Sequence, residues 1–189
     1  MADEKKKTVK KVSKKTTATT AAVTKAPKKG ASETIKVPQG GQIIRTFHLT
    51  PSLPIHGKAA NWLVVDPAAK KPTKDIDQLY VSFNPKSSVT EQYFERAVLI
   101  VKMQQNKAEQ GTWRIVSDGV VVNSKTSDTN HDFAVEVLDQ GATLIVYVHN
   151  LAGAKEEVRF GYIASFTDAT SGQVSVYESQ DPGVVTKRP

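Results

Sequence analysis

The chain contains no cysteine, which excludes disulfide frameworks and thiolate metal sites. It has no run of 18 uninterrupted apolar residues, so no membrane-spanning helix is expected. The N-terminus lacks the apolar stretch of a secretory signal, and no Asn-x-Ser/Thr acceptor is present. These absences point to an intracellular compartment. Catalytic motifs are missing too. There is no Gly-x-Ser-x-Gly elbow. His48, His56, His131 and His149 stand alone, with none of the close pairing that zinc sites need. Gly57-Lys58-Ala59 lacks the upstream glycine and the Ser/Thr of a phosphate loop. No catalytic residue, cofactor or metal ligand set emerges, and a non-enzymatic protein is expected.

One acidic spacing stands out. Asp128, Asn130 and Asp132 open like an EF-hand loop, but Phe133 stands where glycine is required and Asp139 takes the twelfth place. Flanking helices are also missing. This excludes a true EF-hand and leaves a looser Ca2+ site at a subunit contact, or an ordinary Asx-rich loop.

Charge is distributed unevenly. Ten lysines (Lys5, Lys6, Lys7, Lys10, Lys11, Lys14, Lys15, Lys25, Lys28 and Lys29) face only Asp3 and Glu4, so residues 1–29 carry +8. The whole chain carries +7, which leaves 7 − 8 = −1 for residues 30–189. The cationic stretch has no aromatic residue and no apolar stripe, so residues 1–41 are expected to be a disordered arm and linker. Lysine meets phosphate as a point charge, and without aromatics there is no base stacking. The expected partner is RNA, bound without base preference through those ten lysines. A solubilising tail and contact with an anionic membrane surface are the alternatives.

From Gln42 the pattern becomes that of strands. Phe47 and Leu49 share one face of Ile43–Thr50, with Arg45 as a misfit among them. Short alternating segments follow at 79–83, 112–117, 119–123, 133–137, 144–149, 158–166 and 174–177. Ser88-Val89-Thr90-Glu91 matches a capping box and predicts a short helix. Ala97–Met103 is apolar except for Lys102, which predicts a buried strand. Asp118-Gly119 predicts a hairpin. Trp62, Trp113, Tyr80, Tyr93 and Phe94 lack basic interleaving and read as core or interface residues. The expected core includes Phe47, Leu49, Val81, Phe83, Val98, Ile100, Val135, Val146, Val148, Phe160 and Tyr162. The expected fold is all-β: an antiparallel jelly-roll-like sandwich over 42–178, with a C-terminal tail at 179–189.

A basic arm, a near-neutral β body and a polar tail resemble the coat proteins of small icosahedral positive-strand RNA plant viruses. The nearest likeness is to the bromovirus and cucumovirus group. It rests on Ser88–Glu91 and Tyr93 leading into Ala97–Met103, and on Thr143–His149 paired with Glu156–Phe166. The resemblance implies a structural protein that self-associates into an icosahedral shell around RNA, found in the virion and host cytoplasm. The tail would then clamp a neighbouring subunit. The alternative is a non-capsid nucleic-acid-binding β-sandwich, such as a viral movement protein or a chromatin-associated factor.

Overall fold

The structure, a computed structural model, describes residues 31–55, 62–69, 75–122, 131–153, 155–179 and 183–188. Their strands form two mixed sheets packed face to face. The six-stranded sheet contains β1 (Ala31–Lys36), β4 (Ile76–Ser82), β6 (Gly111–Val122), β9 (Glu156–Asp168), β10 (Val174–Glu178) and β11 (Gly183–Lys187). The five-stranded sheet runs β3 (Leu63–Val65), β2 (Gln42–Thr50), β5 (Arg96–Met103), β8 (Thr143–Val148), β7 (Phe133–Leu138). The all-β expectation holds. The antiparallel jelly roll does not, because β1, β4 and β11 lie parallel to one another and β2 lies parallel to β5. Parallel neighbours need crossovers, and here the chain crosses between sheets to make them.

The ordered body reaches beyond 42–178 at both ends. β1 falls inside the stretch expected to be arm and linker, and pairs with β4. β11 falls inside the expected tail, yet Val184, Val185 and Thr186 are buried and the strand sits between β4 and β9. These five residues looked like a tail because Gly183–Lys187 is too short and uniform to show alternation. A strand covered on both faces has no need to alternate.

Asp118-Gly119 is not a hairpin tip. β6 runs straight through it and pairs with β9 on either side, shifting register between Ile115 and Val120. β9 is 13 residues long and offers partners to both halves, so the dipeptide is absorbed as a bulge. Gly119 takes φ +78° there.

Most of the expected core is present between the sheets. Phe47, Leu49, Val81, Phe83, Val146, Val148, Phe160 and Tyr162 all belong to it, and Val135 packs against it. Trp113 anchors one end, with ring centroids 5.5 Å from Trp62, 5.0 Å from Phe166 and 5.5 Å from Tyr177. Its indole N–H donates to Glu109 at 2.7 Å, which satisfies its one polar group. Val98 and Ile100 are the exceptions. In β5 it is Ala97, Leu99, Val101 and Met103 that face inward.

The short helix α1 (Val89–Phe94) forms as the capping box predicts: Ser88 Oγ accepts from Glu91 N–H, and Glu91 Oε2 accepts from Ser88 N–H at 2.7 Å. Behind it, Glu95 (0% exposed) meets Arg188 (7% exposed) at 2.8 Å. The Arg188 guanidinium also donates to the Asn84 carbonyl at 2.6 Å and the Asn150 carbonyl at 3.2 Å. Glu95 accepts from Ser87 Oγ and from Gly40 N–H.

Removing one partner of such a pair strands a buried charge, so R188A should cost about 3–5 kcal/mol in a denaturant titration. Deleting 179–189 removes a sheet strand as well and should leave no cooperative unfolding transition. A folded, cooperative truncate would show that β11 is dispensable.

Candidate interaction surface

The parity of β5 directs attention to the far side of the five-stranded sheet. Its outward residues come in register across four strands. One row is Ile44, Val98, Tyr147 and Ala134; the next is Thr46, Ile100, Ile145 and Glu136. The third is His48, Lys102, Thr143 and Leu138. Ile44 is 63% exposed, on a strand whose inward Phe47 and Leu49 are buried. Val98 is only 9% exposed although it lies outside the core cluster. This face is therefore apolar through its centre and charged only at a few sites: Arg96 and Lys102 on β5, and Glu136 on β7.

The polar groups on this face are partly committed. Tyr147 O–H donates to Glu136 at 3.2 Å, and this hydrogen bond holds the phenol above its ordinary pKa. Burial, reinforced by the adjacent Arg96 charge, lowers the His149 pKa below its usual 6.5, so the ring is neutral at pH 7. Arg96 Nε is buried without a hydrogen-bond partner.

α1 meets the same sheet at one end, since only Glu95 separates it from β5. It displays Val89, Tyr93 and Phe94, the two aromatics at 68% and 60% exposure. The helix itself is held firmly. Its cap, the Gln39–Glu91 hydrogen bond at 3.0 Å and the Glu95–Arg188 pair fix it to the body. Exposed aromatics on a rigid support are the side chains that anchor protein interfaces.

Other polar clusters serve the fold. Arg45, the misfit of β2, points inward at an open edge of the sandwich, where it bridges Glu33 of β1 (2.6 Å) and Asp66 after β3. Burial and the neighbouring Asp66 raise the Glu33 pKa. Burial also opposes ionisation of Asp66, but hydrogen bonds from Ala68 N–H and Arg45 outweigh it and keep that carboxyl below its usual value. The cluster ties one sheet to the other. Asp132 is fully buried and accepts from Leu151 N–H at 3.3 Å, a structural use of the one described residue among Asp128, Asn130 and Asp132. Asp128 and Asn130 lie outside the described residues, as do all ten lysines of the expected RNA-binding set. Among the described residues there is no group of three His, Cys, Asp or Glu able to hold a metal. No helix among them is long and apolar enough to cross a membrane.

The sequence signal for this surface was the unbroken apolar run 97–101. The run predicts a strand buried by the fold; Val98 and Ile100 within it face outward.

Residues 32–188 match the DP-EP family, which takes in both sheets from β1 to Arg188. The chain belongs to the DP-EP family. Among solved structures it is similar to the bacterial inclusion body protein PixA of Burkholderia cenocepacia, at 8% identity and a TM-score of 0.35. That match covers 76% of this chain and 96% of the other. No curated protein matches the chain. Membership of the DP-EP family overturns the plant-virus coat-protein expectation, and with it capsid, virion and host-cytoplasm placement. The movement-protein and chromatin-factor alternative falls for the same reason. The arm–body–tail order that carried the likeness dissolves once β1 and β11 are seen as sheet strands.

Glu95 also sets an acid limit on this DP-EP fold. Burial pushes its carboxyl upward, but hydrogen bonds from Ser87, Gly40 and Arg188 prevail and leave its pKa below 4.5. A depressed folded pKa contributes stability that is complete above the unfolded value and is lost as pH falls through the folded one. Unfolding free energy should therefore drop below about pH 4.5. In E95Q that acid limb should be shallower, as a denaturant series at pH 3–7 would register. An unchanged limb would assign it to other carboxylates.

Proposed function

We propose that this DP-EP chain is a non-catalytic module that associates with a second copy of itself through the outer face of the five-stranded sheet. The observation that carries this is the apolar centre of that face, where Ile44, Val98, Ile100 and Ile145 lie in two adjacent rows with no element of the described fold above them. Sheet faces of this kind pack on one another about 10 Å apart, as inside any sandwich. Four strands about seven residues long present a footprint of roughly 450 Å² per copy at strand spacings near 4.8 Å. Two copies then bury about 900 Å², the size of a small, weak interface. The low charge of the face favours a like partner over an acidic or basic one.

Sedimentation equilibrium tests this directly. The wild-type chain should be a concentration-dependent dimer. I100E, which places an unpaired carboxylate at the centre, should weaken association by at least about tenfold while keeping the β-sheet spectrum. A wild-type monomer at every concentration would overturn the proposal.

The partition of +8 in residues 1–29 against −1 elsewhere supports a second, separable contact, with RNA as the polyanion. If all ten lysines engaged, log affinity against log salt would slope by about −7, at about −0.7 per phosphate. A chain beginning at Gly30 should lose most of that affinity and nearly all of the slope. Retention of both would place the phosphate contacts on the sandwich.

A further inference from the structure

We infer that the two copies pack with their two-fold axis parallel to the strands and centred between β5 and β8, so that β2 of each copy lies over β7 of the other. This rests on the self-association proposed above and names its arrangement.

Few arrangements of two such faces are free of charge conflicts. In an aligned face-to-face dimer of identical sheets the two-fold axis lies in the plane between them, close to the strand direction or close to its perpendicular. An axis across the strands, between the Val98 and Ile100 rows, stacks Arg96 of each copy on Lys102 of the other. Like charges in direct opposition are destabilising. Moving that axis onto the Ile100 row sets Lys102 against Val98 and buries a cation on aliphatic carbon. An axis along the strands but over β5 stacks Lys102 on itself. Centred over β8, it sets Ile100 against Glu136.

An axis between β5 and β8 has none of these conflicts, and it is the one that superposes all four strands, where a shift by one strand spacing towards β2 or β7 leaves part of the face uncovered. Val98 lies over the second copy's Tyr147, and Ile100 over its Ile145. Ile44, the most protruding aliphatic side chain of the face, lies over Ala134, the smallest residue in its row. Large against small is how facing layers interdigitate. Lys102 lies over Thr143, and Arg96 over His149, which is not a cation at neutral pH. Thr46 lies over Glu136. Twist turns the sheets by about 30° without changing which strands face each other at the centre.

The absence of native cysteine makes the test clean. I44C and A134C proteins are prepared separately, mixed, and treated with a short bis-maleimide; T46C and E136C form a second, independent pair. Within one copy the two positions of each pair are three strands apart, about 14 Å, and so is each position from its own equivalent across this axis. Cross-linked dimer is therefore expected in the mixtures and not from any variant alone. Cross-linking of I44C by itself would overturn the inference, since that position meets its own equivalent only about an axis across the strands or one centred over β2. No cross-link in either mixture, with the wild-type chain sedimenting as a dimer, would also overturn it and leave self-association standing. A monomeric wild-type chain would remove both.

Discussion

The buried pair between Glu95 and Arg188 is the constraint on which the rest of this structure depends. Burying two charges is costly, and hydrogen bonds to the remaining donors and acceptors offset part of that cost. Here those partners come from far apart in the chain. Gly40 lies in the turn before β2, Asn84 and Ser87 in the loop before α1, and Asn150 in the loop after β8. The Arg188 guanidinium also sits 5.4 Å from the Phe83 ring. One ion pair thus gathers three connections and the C-terminal strand at a single end of the sandwich. The last described residue is as much a part of the fold as the first turn.

That anchoring bears on function through α1. A helix of six residues has little stability of its own. Its cap and the Glu95 carboxylate behind it convert the segment into a fixed support, on which Tyr93 and Phe94 can be exposed without collapsing onto the body. The adjacent sheet shows the same division. Inward residues of β5 build the core, and outward residues of the same strand build an apolar plane. The titratable clusters, by contrast, are spent on holding elements together: Arg45 between two carboxylates at a sandwich edge, Asp132 at a loop. Among the described residues these clusters serve the fold, and the proposed self-association draws instead on the outer face of the five-stranded sheet.

Much of the architecture was legible in residues. Alternation at β2, β4, β7, β8 and β9 marked strands and inward faces, because half-buried strands must alternate. The capping box at Ser88 and Glu91 marked the helix start, because the orphan amides of a first turn need local acceptors. Even Arg45 was visible as a misfit, though its partners Glu33 and Asp66 were not. The failures share a cause. In Ala97–Met103 both parities are apolar, so period alone could not say which side faces in. In Gly183–Lys187 both faces are covered, so there was no alternation to find. Asp118-Gly119 has hairpin chemistry, but the length of β9 decided the pairing.

By itself, then, the sequence determined the class of structure, the charge partition between residues 1–29 and the rest, and the absence of thiol chemistry, since these depend on composition and on spacing along one strand. Only the tertiary structure decided the parallel pairings, the place of β1 and β11, the partners of Glu95 and Arg45, and which half of β5 meets solvent. Each of those is a contact between segments distant in the chain. Such contacts are selected by the summed burial of the whole sandwich, a quantity that no local stretch contains.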